Sequence, residues 1–174
     1  MSILQSYKVI KFYEKQTDDK IKKIAHVFSE KDTFITNDNI YVLFLYSPDV
    51  YISNQNNLVL DNASFLLMTD YKFLYLLKNK NLGIQLNNIE MEFENGDKID
   101  DSENEFYLDR FQDEDIGSSL ECLRKERIHF NNINYRMKNN QMIINKYGTF
   151  SFKSRKGIIT SQVIKIVRLL FEGK

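Results

Sequence analysis

The residues most capable of chemistry in this chain are the carboxylates crowded between residues 92 and 115. This stretch holds eleven acidic and two basic side chains, so its net charge is −9. Clustered carboxylates can bind a hard divalent cation through oxygen ligands, or they can attract a positively charged partner protein. We take as candidates for a partner-binding surface the acidic residues Asp97, Asp100, Asp101, Glu103, Glu105, Asp109, Asp113, Glu114 and Asp115.

A calcium-binding loop is the most specific metal motif to test against this stretch. A faint likeness to such a loop is carried by Asp113, Asp115, Gly117 and Glu121. The spacing fails, because glycine is not at the sixth position and Arg124 stands where the bidentate carboxylate should be. The sequence therefore predicts no metal ligands. Loose binding of a divalent cation by the carboxylates, as in a metal-dependent nuclease, stays an alternative.

Nucleophilic catalysis is the next chemistry that the residue types allow. Cys122 and His129 are the cysteine and histidine closest in sequence, and an imidazole can activate a thiol. No third residue is placed to orient the imidazole, so we interpret Cys122 as a buried structural thiol. Neither of the two glycine-rich phosphate-binding motifs occurs. The sequence therefore predicts no catalytic residue and no cofactor, and hence a protein that is not an enzyme.

Basic side chains form the second charged feature. Residues 116–174 carry twelve basic and three acidic side chains. Lys153, Arg155 and Lys156 fall in one predicted turn, where they could bind the phosphates of a nucleic acid or a lipid. The same charges could instead be solvated, or could neutralise the acidic stretch within the fold. A nucleic-acid or lipid binder is therefore the alternative, and not the leading hypothesis.

Composition limits the class of protein. The 24 basic and 24 acidic side chains balance, so no net charge draws the whole chain toward nucleic acid or an anionic membrane. Hydrophobic residues make up 43%, which is enough for a core. We expect one domain over 1–174, with an acidic insertion at about 92–117. No signal peptide is visible, and no apolar run approaches the roughly 18 residues that span a bilayer. These features predict a cytoplasmic protein.

Apolar patterning predicts the strands that would hold these charges. We expect strands at 6–14, 40–46, 65–69, 73–77, 82–86 and 133–137, and a hairpin of 142–145 with 149–153. The strands at 65–69 and 73–77 are interpreted as a pair joined by the turn Asp70-Tyr71-Lys72. The pattern is typical of a mostly β, antiparallel α+β fold.

Helical spacing of apolar residues predicts an amphipathic helix near each end of the chain, at 17–28 and 160–172. A shorter helix is predicted from a capping box, Ser118 followed three residues later by Glu121. Residues 92–115 are expected to form an exposed loop or a short helix that their aromatic side chains pin to the rest of the protein.

Residues 67–75 read LMTDYKFLY and residues 84–89 read IQLNNI. Together with the hairpin at 142–153 and the helix at 160–172, they resemble bacterial pleckstrin-homology-like (PH-like) domains. In that family an apolar strand ends in a Thr-Asp-type turn, a basic residue opens the next strand, and a C-terminal helix plugs a barrel. The resemblance implies a barrel with a helical plug. Phe73 after the basic residue and the long acidic insertion depart from the pattern. Because such folds host many functions, the resemblance implies no site residues.

These observations favour a non-catalytic protein-binding module that uses its acidic segment to bind a basic surface of another protein. The chain has two alanines and one proline among many Asn, Ile and Lys residues, which indicates AT-rich coding and hence a bacterium or its phage. A small cytoplasmic protein of this kind fits an immunity or inhibitor protein of a bacterial or phage conflict system. The sequence does not indicate an oligomeric state.

Overall fold

The computed structural model describes residues 5–12, 19, 31–36, 39–49, 52–53, 63–137, 140–152 and 161–172. The predicted N-terminal helix lies outside these residues except for Asp19. Lys153, Arg155 and Lys156 also lie outside them. The described strands are β1 (Gln5–Phe12), β2 (Lys31–Thr36), β3 (Asn39–Leu45), β4 (Ala63–Phe65), β5 (Gln85–Phe93), β6 (Ile128–Met137), β7 (Asn140–Asn145) and β8 (Thr149–Phe152). The helices are α1 (Asp70–Lys78), α2 (Asp101–Asp113), α3 (Ile116–Glu126) and α4 (Ser161–Glu172), with a 3-10 turn at Lys80–Leu82.

The strands form one antiparallel sheet in the order β2-β3-β1-β8-β7-β6-β5. β1 is the hub of the sheet, since residues 5–8 pair with β8, residues 10–12 pair with β4, and its other edge pairs with β3. Among the described strands, β2 and β5 are the outer two and do not pair with each other, so this part of the sheet is open. The predicted mostly β, antiparallel α+β fold is confirmed. The PH-like barrel stays a prediction.

Residues 70–78 form α1, whereas the sequence pattern predicts a turn and a strand there. Thr69 is the N-cap: its backbone is extended, and its hydroxyl accepts a hydrogen bond from the backbone N–H of Lys72 at 3.4 Å. Asp70 places a negative charge in the first turn, which favours the helix. Phe73 and Leu77 then fall on the buried side of the helix, four residues apart. The predicted strand pair at 65–69 and 73–77 is therefore wrong.

The helices and the sheet share one apolar core. Phe73 of α1 stacks on Phe130 of β6 with ring centroids 5.1 Å apart, and Phe111 of α2 lies 5.8 Å from the same ring. Val163 and Val167 of α4 are fully buried in this core. Because α2 contributes a ring to the core, the acidic segment is part of the packed fold. α2 lies against β5, and its Phe111 contacts Phe130 of β6.

Candidate partner-binding surface

Two helix N-caps organise the acidic segment. Oδ1 of Asp100 accepts hydrogen bonds from the backbone N–H of Glu103 at 2.9 Å and from the hydroxyl of Ser102 at 2.6 Å, so α2 begins there. Asp115 caps α3 in the same way, accepting from the backbone N–H and the hydroxyl of Ser118. In each case the hydrogen bond from the serine hydroxyl is the largest cause of a lowered carboxyl pKa. The capping box predicted at Ser118 is wrong, since Asp115 is the N-cap.

Asn104 fixes the position of α2. Its side chain is buried, with Oδ1 accepting from the backbone N–H of Met91 at 3.0 Å and Nδ2 donating to the carbonyl of Ile99 at 3.1 Å. Both partners precede the helix, and Met91 lies on the outer edge of β5. The amide therefore holds α2 beside the sheet edge. No local sequence pattern indicates this role for an asparagine in an acidic run.

Four of the nine predicted partner-binding acids have local hydrogen-bond or ion-pair partners. Asp100 and Asp115 are the two N-caps, Asp97 accepts from the Asn95 amide at 2.8 Å, and Glu114 pairs with Arg110 at 2.7 Å. The other five are exposed, and within the described part of the chain their carboxylates make no hydrogen bond or ion pair. They are Asp101, Glu103, Glu105, Asp109 and Asp113.

Four of these exposed carboxylates form a continuous row along α2. Asp101, Glu105, Asp109 and Asp113 are each four residues from the next, so they lie on one ridge of the helix. At 1.5 Å per residue the row is about 18 Å long, with a charge about every 6 Å. We call these four residues the acidic ridge. Like charges four residues apart repel one another, so the ridge disfavours the helix that carries it.

An exposed aromatic ring lies beside the acidic ridge. Phe106 is 61% exposed, although the sequence pattern predicts that it pins the segment to the fold. Its ring contacts Tyr107 edge-on at 5.5 Å, and Tyr107 stacks on buried Phe111 at 5.7 Å. Burial is the main reason that the pKa of the Tyr107 phenol is raised. Phe106 is thus the outer end of a row of rings that runs into the core.

A groove of about 190 Å³ separates the acidic ridge from the N-terminal half of β5. Asp101 and Glu105 line its helix side, while Asn88 and Ile89 line its strand side. Leu108 contributes an apolar wall. The groove has room for one long side chain, and its carboxylates would attract a positively charged one.

Within the described residues, one lysine of the basic C-terminal third forms an ion pair with the acidic segment. Nζ of Lys146 forms a short ion pair with Oε1 of Glu92, and this hydrogen bond is the largest cause of the raised pKa of Lys146. None of the acidic ridge takes part. The alternative nucleic-acid or lipid surface of Lys153, Arg155 and Lys156 lies outside the described residues.

The two residues considered for nucleophilic catalysis lie in different surroundings, since Cys122 is buried and His129 is exposed. Cys122 is buried in α3, and desolvation is the main reason that its thiol pKa is raised, which reduces its nucleophilicity at neutral pH. Nδ1 of His129 lies 2.8 Å from Oδ2 of Asp70, whose Oδ1 accepts from the backbone N–H of Phe130 at 3.0 Å. Asp70 thereby joins the first turn of α1 to β6. Among the described residues, no hydrogen bond joins the imidazole of His129 to the thiol of Cys122.

Within the ranges that the structure describes, no group of three or more His, Cys, Asp or Glu side chains is placed to hold a metal ion. No described helix has the length and apolar character needed to cross a bilayer. The chain matches no family model, and neither a curated protein nor a solved structure is significantly similar to it.

Proposed function

We propose that this protein is a non-catalytic binding module whose acidic ridge and Phe106 bind a basic surface of another protein. The observation that carries the proposal is the spacing of Asp101, Glu105, Asp109 and Asp113 on one exposed ridge. Each like-charge pair four residues apart costs the helix about 0.2–0.5 kcal/mol. A cationic partner relieves this repulsion, so the feature that weakens the free helix strengthens the complex.

Phe106 supplies the apolar part of the surface. Exposed aromatic rings are enriched among the residues that dominate binding energy, especially where charged groups surround them. Phe106 is 61% exposed, and contact with Tyr107 limits the freedom that its ring would lose on binding. A partner with an apolar pocket inside a basic rim would match this pattern.

The groove beside the acidic ridge gives the partner a specific contact. Asp101 and Glu105 line it together with Leu108. An arginine side chain suits this lining, because its methylene stem can cover Leu108 while its guanidinium pairs with a carboxylate. We therefore expect an arginine of the partner to enter the groove.

Surfaces that bind the phosphates of nucleic acids are a common kind of extended basic surface. A row of carboxylates can compete with phosphates for such a surface. The acidic ridge therefore suits an immunity or inhibitor protein that blocks a nuclease or another nucleic-acid-binding protein of a bacterial or phage conflict system. Long-range attraction would speed capture of such a partner.

A photo-crosslinking amino acid in place of Phe106 tests where the partner binds. The same amino acid at Tyr147, which is similarly exposed at 60%, is the control position. We expect a crosslinked partner from position 106 and not from 147. Equal crosslinking at both positions would contradict a surface centred on α2.

The purified partner then allows the two parts of the surface to be separated. The variant D101N/E105Q/D109N/D113N should raise Kd at least about 10-fold at low salt and flatten its salt dependence. The control D19N/D49N/E121Q/E126Q removes four other exposed acids. Phe106→Ala should raise Kd about 10-fold or more without changing the salt dependence. If the ridge variant and its control have the same Kd and salt slope, the proposal is wrong.

A further inference from the structure

The turn between β5 and α2 contains an asparagine followed by a glycine, Asn95 and Gly96. This is the only place in the sequence where glycine follows asparagine. Both residues are exposed. Such a pair is chemically reactive, because glycine has no side chain to shield its backbone nitrogen from the neighbouring side-chain amide. The acidic ridge and Phe106 do not include this turn, so its chemistry is separate from partner binding.

The reaction open to this pair is deamidation, which consumes only water. The backbone nitrogen of Gly96 loses its proton and attacks Cγ of Asn95, which closes a succinimide ring. The bond from Cγ to Nδ2 breaks, and Nδ2 leaves as ammonia with the proton that the glycine nitrogen lost. Water then opens the ring at either carbonyl carbon. One opening gives aspartate, and the other gives isoaspartate, in which the main chain runs through the former side chain.

Hydrogen bonds within the turn oppose ring closure. The backbone N–H of Gly96 donates to the carbonyl of Phe93 at 2.8 Å, so the attacking nitrogen is already engaged. Nδ2 of Asn95 donates to Oδ2 of Asp97 at 2.8 Å, and Oδ1 of Asn95 accepts from the backbone N–H of Asp97 at 3.0 Å. Both ends of the side-chain amide are therefore held toward residue 97. The nitrogen and Cγ can react only after these bonds break.

Pairing of the flanking backbone closes the turn. The backbone N–H of Phe93 donates to the carbonyl of Asp97 at 2.9 Å, and Glu92 forms an antiparallel bridge with Lys98. The loop of residues 94–96 between them is short, and Gly96 has φ +87°, as hairpin loops with a left-handed glycine do. A short closed loop opens as a unit. One local opening therefore frees the glycine nitrogen and the asparagine amide together.

We propose that Asn95 is a site of spontaneous deamidation, and that the opening of the turn at residues 93–97 sets the rate of this reaction. Asp97 slows the reaction by holding the Asn95 amide in its unreactive orientation. Both products place a carboxylate where Nδ2 now donates to Asp97, so an attractive contact becomes a repulsive one. Isoaspartate also adds a methylene group to the main chain. The modification thus adds negative charge to the acidic segment and loosens the turn that precedes α2.

Incubation of the full chain at neutral pH, followed by peptide mass spectrometry, measures the rate at Asn95. The same incubation in guanidinium chloride gives the rate in the unfolded chain. We expect Asn95 to be the first asparagine modified in the folded protein, at a rate at least about 10-fold below that of the unfolded chain. Equal rates would show that the turn does not control the reaction. Earlier modification of another asparagine would overturn the assignment of the site.

Substitutions at Asp97 test how the fold controls the rate. Asp97→Ala removes the acceptor for Nδ2 of Asn95, whereas the matched control Asp97→Asn keeps an oxygen acceptor there. Each variant's folded rate is divided by its own unfolded rate, so that any direct effect of the substitution on the chemistry cancels. Asp97→Ala should reduce this protection about 2- to 10-fold, and Asp97→Asn should reduce it less. Equal protection in Asp97→Ala and the wild type would overturn the role of Asp97.

Discussion

The backbone N–H of Met91 donates a hydrogen bond of 3.0 Å to Oδ1 of Asn104, so a side chain of α2 occupies the outer edge of β5. The side-chain amide of Asn104 also donates a hydrogen bond to the carbonyl of Ile99. The backbone N–H of Ile99 donates to the carbonyl of Met91. Together these bonds give hydrogen-bond partners to the backbone N–H and carbonyl of Met91, on the edge strand beside α2. They also determine which side of α2 faces solvent, and hence the direction of the acidic ridge.

Asn104→Ala should therefore lower the free energy of unfolding by roughly 2–4 kcal/mol, because a buried N–H and a buried carbonyl each lose a partner. Chemical denaturation at pH 7 measures this change. Gln112→Ala, at an exposed position of the same helix, should change stability by no more than about 0.5 kcal/mol. Similar values for both variants would mean that Asn104 does not anchor α2.

Gly148 of the β7–β8 hairpin should not tolerate a side chain. It has φ +69°, and an added Cβ would lie 1.8 Å from the carbonyl oxygen of Leu66. Gly148→Ala should cost roughly 2 kcal/mol or more, since it combines backbone strain with a backbone clash. Gly96→Ala is the matched control, because its φ is +87° with no atom within 4 Å of an added Cβ. The difference between their unfolding free energies measures the clash, and equal costs would contradict it.

Much of the sheet could be predicted from the sequence because strands leave a local signal. The hairpin of β7 and β8 shows apolar runs on both sides of Lys146-Tyr147-Gly148, and both strands form where the pattern predicts them. The sequence pattern does not predict α1, because the nearly unbroken apolar run of residues 73–77 also fits a buried strand. The helix is favoured by the N-cap at Thr69. Thr69 followed by Asp70 is equally typical of a turn, so the sequence alone does not distinguish the two.

The candidate partner-binding surface could likewise be predicted only in part from the sequence. The spacing of Asp101, Glu105, Asp109 and Asp113 is visible in the sequence, but it has meaning only if these residues form a helix. The contact of Asn104 with Met91 joins residues thirteen apart through a sheet edge, so no local pattern predicts it. Net charge therefore indicates an acidic segment in the sequence, but it does not indicate which of its carboxylates are exposed.

The two aspartate N-caps should make stability depend on pH in the acid range. The pKa values of Asp100 and Asp115 are lowered in the folded protein, so their stabilisation is fully present above the unfolded pKa, about 3.9. It is lost as the pH falls through the lower folded pKa. Asp100→Ala and Asp115→Ala should therefore destabilise the protein at pH 7 and differ less from the wild type below about pH 3.

Asparagine variants provide the control for this prediction, because asparagine can cap a helix without titrating. Asp100→Asn and Asp115→Asn should keep most of the stability at pH 7 and reduce its dependence on pH between about 2 and 5. Thermal unfolding across this pH range gives the comparison. A wild-type profile that matches the profile of the double Asn variant would show that the caps do not contribute to acid unfolding.

The acidic ridge should lower the stability of the free protein and raise its affinity for a cationic partner. Substitutions at Glu105 test both effects. Glu105→Lys replaces two repulsions, with Asp101 and Asp109, by two attractions, and should raise the free energy of unfolding by about 1 kcal/mol at low salt. The gain should shrink in 1 M salt, where surface charges are screened beyond about 3 Å.

Glu105→Lys should bind a cationic partner more weakly than Glu105→Gln does, because the lysine places a positive charge in the groove where we expect the partner's arginine. A ridge shaped only by the needs of folding would not carry these repulsions. Thus a Glu105→Lys protein that is no more stable than the wild type, or that binds the partner equally well, would refute the functional origin of the ridge.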